Sequence, residues 1–431
     1  MKSFHNRSSA TIAAFVAALA LAPGLLQADW PQYRGPNHDG LSAEKIFRQW
    51  PATGPRQLWK VPLNTGFSSF AIAHGMAYTL VRREIDGLDQ EVCLALDASS
   101  GKEAWASPIG RAKYDGGGDT GARDNRGGDG PRSTPTVDGD RVYTLSAYLV
   151  LSCFDAKSGK TLWSKDLTKD LSGKVITWQN AASPLIDGDL IFVNANAPGH
   201  CLAALHKQDG RVVWSGQNDK MTHATPIAAT ILGQRQIIFF TQSGLVAVDP
   251  KNGAVLWRYK FPYSTSTAAS PVVSGDIVYC SAGYGVGAGA VRIARSGGQF
   301  TATEIWRAPN KLPSHWSTPV VLNGHLYGLF SFKEFGTGPL KCVELATGKE
   351  VWSQSGFGPG GVLLADGHIL VLSDTGDLIL VEATPAAYKE VARFDALAGK
   401  CWNAPALSGG RVYARSTTEG VCLEIGPGDA R

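Results

Sequence analysis

Ala95-Leu96-Asp97-Ala98-Ser99-Ser100-Gly101-Lys102-Glu103-Ala104-Trp105 sets an acidic residue, a glycine four positions on and a tryptophan four further. The spacing returns at Asp155/Gly159/Trp163, Asp249/Gly253/Trp257 and Glu344/Gly348/Trp352, and at His206/Gly210/Trp214 with histidine in the acidic slot. Recurrence at a period of roughly 40 to 60 residues marks an array of one supersecondary unit, and the whole chain is to be read in that frame.

A second phrase precedes each tryptophan phrase: a small residue before Pro, a short apolar run, a Gly turn, then a β-branched or aromatic run. Ser133-Thr134-Pro135 leads through Asp138-Gly139 to Val142-Tyr143, and Pro184, Pro226, Pro271, Pro319 and Pro405 open similar stretches. Asp-Gly and Asn-Gly pairs accept the positive φ of tight hairpin turns, so each phrase predicts a hairpin. With the strands on either side of the Asp-x-x-x-Gly turn, each unit becomes a four-stranded antiparallel meander, the blade of a β-propeller. The tryptophan falls on the outermost strand, where its ring can cover the next blade and bury a large apolar area.

The terminal aromatic recurs at Trp59, Trp105, Trp163, Trp214, Trp257, Trp306, Trp352 and, weakly, Phe394. Inner strands are expected near Ala71, at the prolines 135, 184, 226, 271, 319 and 405, and near Leu363, so both series predict eight blades. The series are offset, because Trp59 precedes every inner strand while the last unit ends before its outer strand. Gln57-Leu58-Trp59-Lys60 is therefore predicted to supply the missing strand and close an all-β ring, which leaves no long free edge.

Residues 1–28 have the pattern of a secretory signal, with basic Lys2 and Arg7, an apolar stretch from Thr11 to Ala22, and Leu26-Gln27-Ala28 before Asp29. The apolar stretch is short for a bilayer span. No cysteine follows it before Cys93, so no lipid anchor is expected. The expectation is an exported chain, periplasmic or secreted. Residues 29–54 are predicted to form an extended arm around the outside of the ring, and 55–431 the propeller. The formal net charge of +4 indicates no nucleic-acid surface. Of seven cysteines, Cys153, Cys342 and Cys422 fall on third strands of different blades, too far apart to pair, and most of the seven are expected to be small buried side chains rather than a disulfide framework.

In a propeller, the loops from outer strand to next inner strand converge on one mouth of the central channel. Here they carry Phe67, Arg132, Trp178, Asn180, His223, His315, Trp316, Trp402 and Asn403. Aromatic faces with amides, Arg and His can hold a flat or extended ligand. The same residues can equally plug the channel and satisfy one another. The loop from Tyr114 to Arg132 sets Asp115, Asp119, Asp124 and Asp129 among glycines, oxygen ligands of the kind calcium takes, though without EF-hand spacing. Arg123, Arg126 and Arg132 can neutralise these acids within a folded loop instead. The run Gly283-Tyr284-Gly285-Val286-Gly287-Ala288-Gly289 lies inside a predicted blade with no helix to follow, so it is no phosphate cradle and is expected to replace the third strand of blade five. No nucleophile-elbow or zinc-ligand spacing is present.

The Ala95–Trp105 phrase resembles the tryptophan-docking motif of the PQQ-like β-propeller repeat, a resemblance that extends over about residues 55–431. Trp30-Pro31-Gln32-Tyr33-Arg34-Gly35-Pro36-Asn37 is similar to the leader of secreted bacterial members. One branch of that superfamily implies pyrroloquinoline quinone held in the mouth with calcium, an acidic base and vicinal cysteines. This sequence has no adjacent cysteines and is short for those enzymes. The other branch, similar to the BamB-type component of outer-membrane protein assembly, implies a cofactor-free protein-binding scaffold. The expectation is thus a non-catalytic exported propeller that binds a protein or envelope polymer. A quinone-dependent oxidoreductase is the alternative, with Trp316 or Trp402 stacked on the cofactor and an aspartate of 115–129 as base or calcium ligand. Carbohydrate binding without turnover is a third class.

Overall fold

The computed structural model describes Met1 and residues 29–114, 130–263, 265 and 267–427. The signal stretch and the four aspartates of the glycine-rich loop lie outside the described residues.

Eight four-stranded antiparallel blades form one ring. Blade 1 is Ala71–Ala73, Met76–Ile85, Leu88–Asp97 and Glu103–Arg111. The inner strands of blades 2 to 8 are Thr136–Asp138, Leu185–Asp187, Ile227–Ile231, Val272–Ser274, Val320–Leu322, Gly361–Ala365 and Ala406–Ser408. Arg56–Pro62 pairs antiparallel with Glu419–Glu424, so the N-terminal strand closes blade 8 as its periodicity required. The one helix among the described residues is a single turn, Leu167–Asp170. All seven cysteines are buried and free.

The repeat phrase works as a dock between blades. The glycine N–H donates to the carbonyl of the acidic position, 2.8 Å at Gly101 to Asp97 and 2.9 Å at Gly159 to Asp155, and the turn then carries a glycine at positive φ. The preceding blade's indole lies on that turn, and a Cβ on Gly159 would fall 2.6 Å from the Trp105 ring. Each indole N–H then donates to the carbonyl just after the acidic position. Trp59 meets Ala98 at 3.0 Å, Trp105 meets Ala156 at 3.0 Å, Trp163 meets Lys207 at 3.2 Å, Trp214 meets Pro250 at 2.8 Å and Trp306 meets Leu345 at 2.8 Å. Trp352 gives its N–H to Thr384, and Gly54 closes on Phe394. Trp257 differs. Blade 5 joins its last two strands by a long hairpin through Ser296-Gly297-Gly298-Gln299, so no docking turn reaches Trp257, whose N–H goes to Gln236 Oε1 at 2.7 Å.

A second belt lies at the inner-strand starts. Backbone N–H groups of Ser69, Thr134 and Ser183 donate to the hydroxyls of Thr134, Ser183 and Thr225 in the next blade, at 3.1, 2.8 and 2.9 Å. Ser270 donates to Thr318 Oγ1 at 2.9 Å, and Ala404 to Ser69 Oγ at 3.2 Å across the closure. At Thr134, Ser183, Thr225 and Thr318 the small residue before proline is thus an interblade acceptor for an amide that would otherwise be buried unpaired, while Ser270 instead donates its Oγ to Thr225 O at 2.9 Å.

Two sequence expectations are corrected. The arm runs through the ring, not around it. Trp30 bridges Ile72 of blade 1, Pro31 accepts from Val137 of blade 2, and Leu41–Ser42 adds parallel to the inner strand of blade 7. Inner strands present an unpaired edge to the axis, and the arm satisfies part of it. The glycine run does not replace the third strand of blade 5. Gly283–Val286 is a turn, and Gly287–Ser296 is a regular strand paired on both sides.

Candidate functional site

The arm makes the channel a cup. Arg34, buried, donates Nη1 to Thr318 O at 2.7 Å, Nη2 to Pro319 O at 2.8 Å and Asp39 O at 2.8 Å, and Nε to His38 O at 3.3 Å. Tyr33 and Arg34 form the floor, and the cavity above encloses about 1210 Å³, part of it open to solvent. The docking turns and inner hairpins lie at the closed end. The open end receives the outer-to-inner loops and also the loops between second and third strands, since both leave a meander on the same side.

Of the residues expected at the mouth, Phe67, Arg132, Trp178, His223, His315, Trp316, Trp402 and Asn403 line the cup. Asn180 does not. Its amide is buried and bonded to the Ser146 and Ala182 carbonyls and the Ala182 N–H, so it shapes its own turn. Trp402 lies face to face with Phe67 at 5.1 Å and with Phe335 at 5.2 Å. With two rings stacked on it and only 9 % exposed, Trp402 is packing. Trp316 is half-buried beside it and anchored by its N–H to Pro359 O at 2.7 Å.

The rings continue as a track along the mouth. His315 contacts Trp316 at 5.0 Å and Tyr284 at 5.3 Å, Phe332 meets Tyr284 at 4.5 Å, and Trp178 lies nearly parallel to Tyr284, 13° and 6.4 Å apart. Trp178 and Tyr284 both hold positive φ, 63° and 55°, a conformation bulky residues rarely adopt. The Arg132 guanidinium donates to the Trp178 carbonyl. Lys333 Nζ sits 5.4 Å from the Tyr284 ring.

Both mouth histidines are neutral. His223 gives Nε2 to Thr177 O at 3.1 Å, and burial, with Arg132 nearby, lowers its pKa to about 4. Burial lowers His315 to about 3, helped by His223 and Lys333. Beside the mouth, Glu91 is buried and accepts from Tyr114 Oη at 2.7 Å and Ala147 N at 2.8 Å. Burial raises its pKa to about 7.

Tyr284, Phe332, Lys333 and Phe335 were missed from sequence because they sit on second-to-third strand loops. An aromatic between glycines, Gly283-Tyr284-Gly285, was the available signal. For a quinone cofactor, the flat faces of Trp178, Tyr284 and Trp316 suit a planar ring. Among the described residues, however, no carboxylate lines the cup and no three His, Cys, Asp or Glu cluster to hold a metal ion. The described residues therefore do not furnish the base and calcium ligands, and Asp115, Asp119, Asp124 and Asp129 fall outside them.

Residues 88–328 and 336–425 match the family described as outer membrane protein assembly factor BamB. The chain belongs to this family. Among curated relatives, the BamB of Moranella endobia is 26 % identical over 262 residues, 57 % of this chain and 63 % of that one. That of Shewanella oneidensis is 24 % identical over 238 residues, 52 % of this chain and 56 % of the relative. The chain thus spans less than two thirds of either relative's length. The crystal structure of BamB from Moraxella catarrhalis superposes with TM-score 0.58 at 15 % identity, covering 86 % of this BamB-family chain and 99 % of that chain. The quinohemoprotein alcohol dehydrogenase of Comamonas testosteroni gives TM-score 0.64 at 13 % identity, covering 94 % and 81 %. Both likenesses bear on the fold alone. Among the described residues, no helix is long and apolar enough to cross a membrane.

Proposed function

We propose that this BamB-family propeller is a non-catalytic scaffold of the bacterial envelope, exported to the periplasm or beyond, that captures a partner protein at the open mouth of its channel. The observation that carries this reading is the asymmetry of the channel. One end is shut by the arm through Arg34, while the other presents the Trp178–Tyr284–Trp316 face. A rigid ring with one accessible aromatic concavity has the features of a recognition surface. Membership of a family of outer-membrane assembly factors supports the choice of a protein partner.

The test is titration with pyrroloquinoline quinone and calcium in the presence of an artificial electron acceptor and a panel of alcohols and aldoses. The scaffold reading expects no turnover. Saturable quinone binding with substrate-dependent acceptor reduction overturns it.

A further inference from the structure

The chemistry of the mouth specifies the kind of segment it accepts. We infer that the Trp178–Tyr284 face binds a proline-rich polypeptide segment in the polyproline II conformation, flanked by acidic residues; this rests on the open mouth being the binding site.

Three observations converge. First, the polar side-chain groups of the track that lack partners can all donate, the Tyr284 hydroxyl being an acceptor as well. The Trp178 indole N–H and the Tyr284 hydroxyl have no hydrogen-bond partner among the described residues, and Tyr284 is 38 % exposed. Among the lining's ring and amide atoms, His223 Nδ1, His315 Nδ1 and Asn403 Oδ1 are closed off from solvent by their neighbours. A proline-rich chain offers carbonyl acceptors and ring faces, with few N–H donors to satisfy.

Second, the aromatic pair suits such a helix. Polyproline II has three residues per turn and rises about 3.1 Å per residue, so one dipeptide occupies about 6 Å of a groove, and the Trp178 and Tyr284 rings, centroids 6.4 Å apart with planes 13° from parallel, offer about that length of aromatic surface. Aromatic-lined grooves recognise such helices because the ligand is already ordered and loses little entropy on binding. Both rings are held at positive φ, so the face is set before a ligand arrives.

Third, the described residues around the track carry cations. Lys333 flanks Tyr284. A second cleft meets the cup at His223 and carries Lys174 and Lys220. None of these three lysines has an ion pair among the described residues. An acidic flank running from the aromatic face into that cleft would complement them.

The test is a tryptophan-fluorescence and calorimetric titration of the full protein with three probes: a synthetic hexaproline flanked by Asp-Asp, the same hexaproline flanked by Lys-Lys, and chitohexaose. Saturable binding of the acidic proline peptide, weakened by salt and by the basic flank, is expected. Trp178→Gly removes the ring while suiting the left-handed backbone, and should lower affinity roughly tenfold or more with no loss of thermal stability. Tyr284→Phe keeps the ring, and should lower affinity by a smaller factor through loss of its hydroxyl. No saturable binding of the acidic proline peptide at millimolar concentration overturns the inference, as does equal binding by Trp178→Gly. Chitohexaose bound in place of the peptide overturns it in favour of a glycan but leaves the mouth as the binding site. Quinone turnover in the preceding test is the separate result that removes the scaffold reading itself.

Discussion

Arg34, on the N-terminal arm, donates its Nη1 to the carbonyl of Thr318 at 2.7 Å from 284 positions away in the chain. This bond and its companions to Pro319, His38 and Asp39 convert an open ring into a cup. Among the described residues the guanidinium has only carbonyl partners, and burial lowers its pKa. It is therefore held by hydrogen bonds from a charged donor to backbone oxygens rather than by an ion pair.

Arg34→Met should cost about 2 to 4 kcal/mol in chemical denaturation, since it leaves several buried carbonyls unpaired. A cost below about 0.5 kcal/mol, the range of a typical surface change, would mean the arm does not contribute to the fold.

The interblade docks predict a contrast between two glycines. Gly159→Ala drives a methyl to 2.6 Å from the Trp105 ring at φ +70°, whereas Gly139→Ala, at φ +59°, meets nothing within 4 Å. The second should cost about 1 to 2 kcal/mol of backbone strain, and the first clearly more. Trp105→Ala should cost about 3 to 5 kcal/mol as an emptied buried ring. Thermal melts of the three variants check the order.

The hydroxyl belt predicts that Ser183→Ala, which orphans the buried Thr134 N–H, costs about 1 to 3 kcal/mol, while Ser183→Thr recovers most of it. Equal melting of the two variants would show that the belt is not a stabilising contact.

Acid stability has opposing contributions whose signs can be worked out. His38, His223 and His315 have folded pKa values lowered from 6.5 to about 4, 4 and 3 by burial. Between these values and 6.5 the unfolded chain binds more protons, so stability falls as pH falls through that window. Glu91 is raised from 4.5 to about 7, so between those values the folded state binds more protons and stability falls as pH rises. Three histidines against one carboxyl predict a net loss of melting temperature from pH 6.5 to 4. Glu91→Gln should steepen that loss by removing the opposing contribution. A flat profile in both proteins would contradict the burial assigned to these groups.

The ring was legible because its determinants repeat. Asp97, Gly101 and Trp105 act within one turn and its neighbour, so spacing alone shows the dock, and the offset between Trp59 and Pro405 shows the closure. The arm was not legible. Its contacts are Arg34 to carbonyls, which any sequence supplies, and Trp30-Pro31-Gln32-Tyr33 has no period to set its side of the ring. Trp257 kept the motif but lost its dock, because the partner turn is missing from blade 5. At the mouth, Trp178 and Trp316 were visible on outer-to-inner loops. Tyr284 and Phe332 came from the other loop set, and they make the difference between a plug centred on Trp402 and an exposed face.

The most direct measurement places a photo-crosslinking residue at position 284 on the open mouth, or at position 188 on the closed end, and irradiates cells producing the protein. The account predicts discrete envelope-protein adducts from 284, abolished by Trp178→Gly, and none from 188. Adducts from 188 alone, or none from 284 in cells that produce folded protein, would contradict capture at the open mouth.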